Sequence, residues 1–159
     1  MVDRLGIGRS VQFHGRIRHR EVIERLQTCD FLALPSIREF GGGVVVESMA
    51  LGVPPIVADY AGPSELVDEN TGIRVRFQDQ KSLVEGMRGA IGNVVRAPDI
   101  LVRLGQAARQ KVREKLTWEA KANQILAAYD TVLTGSDIHV KVPIEMVASR
   151  REATEVRRC

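Results

Sequence analysis

The chain has 159 residues, 44% of them hydrophobic and 27% charged, which suits one ordinary globular domain with its own core and leaves little room for two. A formal charge of +3 and an aromatic content of 4%, with no interleaving of basic and aromatic residues, argue against nucleic acid as a partner. No apolar run approaches the roughly 18 residues of a membrane span, the start "MVDRLGIGRSVQF" has no signal-peptide core, and Cys29 and Cys159 make neither a zinc spacing nor a disulfide framework, so a cytoplasmic setting is expected.

In chain order, "SVQFHG" reads as a strand ending at Gly15, and "REVIERLQTCD" as a helix with Val22, Ile23, Leu26 and Cys29 on one stripe and a Glu21–Arg25 pair. "FLALPS" reads as a fully buried strand stopped by Pro35. A glycine segment follows, then the helix "VVVESMALG" ending at Gly52, a residue suited to the left-handed position past a helix end. "PPIVADY" and "TGIRVRF" are the third and fourth strands, separated by "AGPSELVDEN" as a long turn with at most one helical turn. After Asp79 the pattern is helical: "DQKSLVEGMRGAIGNV", "APDILVRLGQAARQKVREKL" with Pro98 in a first turn, and "TWEAKANQILAAYDTVL" with Thr117 as N-cap and Trp118 as a core anchor. Alternating short apolar runs and amphipathic segments predict an α/β, Rossmann-like three-layer domain: a short parallel sheet of about four strands with C-terminal helices, over residues 1–134. The basic segment 135–159 is expected to be a disordered tail.

The chemistry concentrates in "PSIREFGGGVVVESMALG". In an open parallel sheet, ligands bind outside the carboxyl ends of the strands, and this segment leaves a strand and opens a helix. Gly41, Gly42 and Gly43 remove side chains at that turn, so backbone N–H groups can approach an anion such as a diphosphate, helped by the positive end of the helix dipole. Glu47 lies one turn inside the helix, and its carboxylate can reach back to accept both hydrogens of a vicinal diol such as that of ribose. Glu39 precedes the glycines and would face the hydroxyls of an attached sugar. Two carboxylates held apart by a ligand suit a nucleotide sugar better than a bare phosphate. The same residues also fit a tight strand-to-helix turn whose glutamate compensates the helix dipole.

The stretch "FLALPSIREFGGGVVVESMALGVPPIVADYAGPSELVDENTGIRV" resembles the donor-binding half of the retaining glycosyltransferases of family 4, which have the GT-B architecture. That family has two glutamates separated by seven residues, the spacing of Glu39 and Glu47, with Gly42 in place of the usual glycine. "VQFHG" and "LTWEAKANQILAAYD" also have family counterparts, so the resemblance covers residues 1–134. It implies transfer of a sugar with retention of configuration from a UDP- or GDP-linked donor, with no cofactor and no metal. It also implies donor contacts by Glu39, Gly41, Gly42, Gly43, Val44 and Glu47, Glu39 being the residue at the reacting sugar. Gly41 stands where an aromatic or similar residue often precedes the family glycine. Relative to the family pattern, the sequence starts after the acceptor domain and after the first donor-domain strand with its arginine and lysine, so a truncated relative is expected.

Four further residues are candidates of second rank. His14, at the end of a predicted strand, suits a donor contact or a polar cap. Arg38 suits a phosphate contact or a solvated side chain, and Gly62 and Glu65 resemble a family loop lining the cleft. His19 and His139 read as solvated, and Asp68 and Glu69 are too turn-like for a metal site. The acceptor is unknown. The alternative to a transferase is a catalytically incomplete nucleotide-binding or interaction module that needs a partner chain or self-associates through an incomplete sheet edge. The expected setting is the cytoplasm, free or peripheral at the inner face of a membrane.

Overall fold

A computed structural model describes residues 2–134; the predicted tail 135–159, with His139, lies outside the described residues. The chain divides into two compact units, Met1–Leu116 and Thr117–Cys159.

In the first unit, two short 3-10 turns, Asp3–Leu5 and Gly8–Ser10, lead through an irregular segment to α1 (His19–Leu26). The remaining elements are β1 (Leu32–Leu34), α2 (Gly43–Leu51), β2 (Pro55–Asp59), α3 (Ala61–Leu66), β3 (Ile73–Arg76), α4 (Gln80–Arg96) and α5 (Asp99–Lys111), closed by a π-helical turn at Val112–Leu116. The sheet is parallel throughout in the order β1-β2-β3, with Ala33 opposite Ile56 and Val57 opposite Arg74. Burial follows position. Central β2 is covered on both faces, so its "PIVA" run is buried, whereas on edge strand β3 buried Val75 alternates with exposed Arg74 and Arg76.

Helices lie on both faces, which makes the expected three layers. Val45 and Met49 of α2 pack with Val57, Ala108 and Val112 on one face, and Leu83 and Met87 of α4 pack with Ile56, Ala58 and Val75 on the other. α2 is apolar nearly all round because it is wedged between the sheet and α5, and its buried Ser48 hydroxyl donates to the Val45 carbonyl at 3.0 Å. Gly52 ends α2 in the left-handed region at φ 80°, as its place in the sequence predicts. Asp79 caps α4, its carboxylate accepting from the Ser82 N–H at 2.7 Å. Lys111, at the end of α5, donates to Asp68 in the turn before β3 at 2.7 Å.

The structure corrects several expectations. Among the described residues the sheet has three strands rather than four: residues 11–15 form no strand, Gly15 stands at φ 60°, and Val11 and Phe13 are exposed. β1 is an edge strand with one neighbour, so it is half-buried with Ala33 exposed, and not fully buried. The α1 stripe buries only Leu26; Cys29 lies past the helix end and is exposed, and the i,i+4 pair is Arg20–Glu24 at 2.9 Å instead of Glu21–Arg25. The "AGPSELVDEN" turn contains the six-residue α3.

The second unit is described over one helix, α6 (Trp118–Thr134), whose start is capped by Thr117 Oγ1 accepting from the Ala120 N–H at 3.1 Å. A lone helix has nothing of its own to bury a stripe against. No α6 residue is buried, and Trp118 is exposed rather than a core anchor.

Candidate functional site

The loop after β1 and the turn after β2 meet at the carboxyl edge of the sheet. The turn is constrained: Ala61 has φ 52°, a left-handed conformation that costs a non-glycine residue roughly 1–2 kcal/mol. Directly after it, Gly62 lies so close to the Phe40 carbonyl that a Cβ there would overlap it. α3 thus braces the glycine loop from below, with Pro63 and Leu66 against Gly42.

The three glycines are not equivalent. Gly42 is buried, has φ 60° and ψ 35° as the residue that caps α2, and leaves a Cβ only 3.0 Å from Leu66 Cδ1. Gly41 and Gly43 have open space where a side chain would stand. One glycine therefore makes the turn, and its neighbours leave the helix mouth bare. Val44 contributes only backbone to that mouth, since its side chain packs against the Val45–Met49 core.

Both glutamates have one oxygen engaged. Glu39 Oε1 accepts from the Gly42 N–H at 3.1 Å, closing the loop with its own side chain. That leaves the N–H groups of Gly43 and Val44 in the first turn of α2, where an α-helix has no intrahelical acceptor for them. Glu47, with its side chain 34% exposed, meets His19 Nε2 of α1 at 2.9 Å through Oε1. His19 is exposed, as its sequence context predicts, and it also makes this one contact. Nothing local signals this contact, because the partners are 28 residues apart and meet only when α1 packs on α2.

Among the second-rank candidates, the structure brings Gly62 into the site. His14 is exposed and sits 3.4 Å from Arg25 Nη1 of α1, while Arg38 and Glu65 are exposed. Among the described residues, no three His, Cys, Asp or Glu side chains are grouped to hold a metal ion.

Residues 1–111 match the family described as glycosyl transferases, group 1. The chain belongs to that family. A D-inositol 3-phosphate glycosyltransferase of Rhodococcus erythropolis is 33% identical over 132 residues, covering 79% of this chain and 27% of its own length. Among solved structures, sucrose-phosphate synthase from Thermosynechococcus elongatus superposes with a TM-score of 0.69 at 29% identity, covering 85% of this chain and 33% of that one. The Anabaena protein Alr3699/HepE, solved with UDP-glucose, gives 0.51 at 26% identity over 69% of this chain and 30% of its own. The fold is the Rossmann-like α/β arrangement of GT-B enzymes, as the sequence implies. The chain spans about a third or less of the length of these relatives.

Proposed function

We propose that this chain is the donor-binding part of a retaining glycosyltransferase. The observation that carries the reading is the loop closed by Glu39 on Gly42 at the start of α2, with Glu47 one turn inside, on the carboxyl edge of a parallel sheet. The N–H groups of Gly43 and Val44 would face the donor diphosphate, aided by the α2 dipole. Glu47 would hold the ribose diol and Glu39 the transferred sugar. The complex of the Anabaena relative with UDP-glucose supports a UDP-linked donor, with GDP-linked donors as the other candidates.

Catalysis would rest on stabilising the charge that develops on the leaving diphosphate. Neither glutamate is assigned as a nucleophile, and retention is carried over from the family resemblance as part of the proposal. Helix N–H groups supply the positive environment, so the reading requires no metal or cofactor from this chain. No described helix is long and apolar enough to cross a membrane. The setting we propose is the cytoplasm, free or peripheral at the inner face of a membrane.

Calorimetric titration with UDP, GDP and their common sugar conjugates, beside Glu47→Ala, tests the assignment. Binding weakened by the substitution supports it, and no binding by a folded chain refutes it.

A second reading, an incomplete module that needs a partner chain or self-associates, is favoured by the outer edge of β1. Beside it lies an open apolar trough of about 720 Å³ lined by Ala33, Ile37, Leu83, Met87 and Ile91. A strand edge that no described residue covers, next to apolar surface, invites association. A dilution-resistant monomer in size-exclusion chromatography would count against it.

A further inference from the structure

We infer that His19 is a positioning residue for the donor: its Nε2–H holds the Glu47 carboxylate in the orientation that accepts the ribose diol. This rests on the donor-binding reading above.

A free glutamate side chain has three rotatable bonds and must be ordered each time ligand binds. In this structure Glu47 is ordered beforehand. His19 opens α1, α1 packs on α2, and the imidazole reaches across to Oε1 at 2.9 Å. A carboxylate offers acceptors only, so the contact selects the ring form that carries hydrogen on Nε2. One oxygen is taken up by the ring, and lone pairs of the other stay available for hydroxyls.

The exposure of the pair bears on what it is for. His19 is 71% and Glu47 34% exposed, and such a surface contact adds little to folding stability. Its value lies in fixing a rotamer before binding, which lowers the ordering cost that ligand association otherwise bears.

The test titrates the full chain with UDP and GDP and with their 2′,3′-dideoxy analogues, in the wild type and in His19→Ala, His19→Gln and Glu47→Ala, with thermal melts confirming folding. His19→Ala should weaken the ribonucleotide about three- to tenfold while leaving the dideoxy analogue unchanged. His19→Gln, whose amide carries a donor on a side chain of similar reach, should recover most of the loss. Equal weakening of both nucleotides would mean a general structural role and overturn the inference. So would no effect, or tighter binding, which would make His19 a competitor for the carboxylate. If Glu47→Ala weakens binding and His19→Ala does not, the donor reading stands and the positioning role alone falls. If the folded wild type binds neither nucleotide, both fall.

Discussion

The backbone N–H of Gly42 donates to the Glu39 carboxylate at 3.1 Å, so the residue expected to face the donor sugar also closes the loop on which the donor would rest. Loop-holding and charge can be separated by substitution. Glu39→Gln keeps an acceptor for the Gly42 N–H and removes the charge, whereas Glu39→Ala removes both. Thermal melts should show Glu39→Ala destabilised by about 1 kcal/mol and Glu39→Gln close to wild type. Donor turnover, measured in the whole enzyme or with any partner that supplies activity, should fall in both.

Gly42 and Gly43 should respond in opposite senses to alanine. Gly42→Ala places a side chain at φ 60° against Leu66 and should destabilise by roughly 1–3 kcal/mol. Gly43→Ala meets open space in the first turn of α2 and should stabilise by about 0.5 kcal/mol. The same Gly43 methyl would stand at the mouth where the donor diphosphate is proposed to lie, so UDP affinity should drop although stability rises. Denaturant melts paired with calorimetry on one preparation would show this divergence.

At Gly62 a methyl group would overlap the Phe40 carbonyl, so Gly62→Ala must push the glycine loop away from α3. Both stability and nucleotide affinity should fall together, the former by roughly 1–3 kcal/mol. Loss of stability with unchanged affinity would show that the bracing is not coupled to binding.

The Lys111–Asp68 contact should appear in the acid limb of stability. Burial works against the charge on Asp68, but the Lys111 ammonium, the Asn70 N–H and the Thr71 hydroxyl outweigh it and hold the carboxyl below its ordinary pKa. A group whose folded pKa is depressed stabilises fully above its unfolded pKa of about 3.9. That stabilisation is lost as pH falls from there through the folded value. Lys111→Met should lower the melting temperature near neutral pH by a small amount, since Asp68 is partly exposed, and should flatten its fall between about pH 4 and pH 2.

Much of the frame is legible in the residues. The β2 run "PIVA", α2 with Gly52 at its end, the long helices after Asp79 and the seven-residue spacing of Glu39 and Glu47 all stand where the sequence places them. Periodicity and torsional preference act over a few residues, so one stretch of chain is enough to express them. The short strands were harder. Val11 to Gly15 has the alternation of a strand, but a strand exists only with a neighbour to share hydrogen bonds, and the segment has none among the described residues.

What the sequence determined by itself is therefore local: the helices and their caps, the apolar run of the central strand, and two glutamates flanking a bare turn. Only the tertiary structure decided which of three successive glycines turns the chain, that β1 lies at an edge, and that His19 engages Glu47. Each of those depends on Leu66, Pro63, Ile56 or α2 arriving from elsewhere in the chain. Contacts between residues far apart in sequence are set by how helices and strands pack, and no spacing along the chain encodes them.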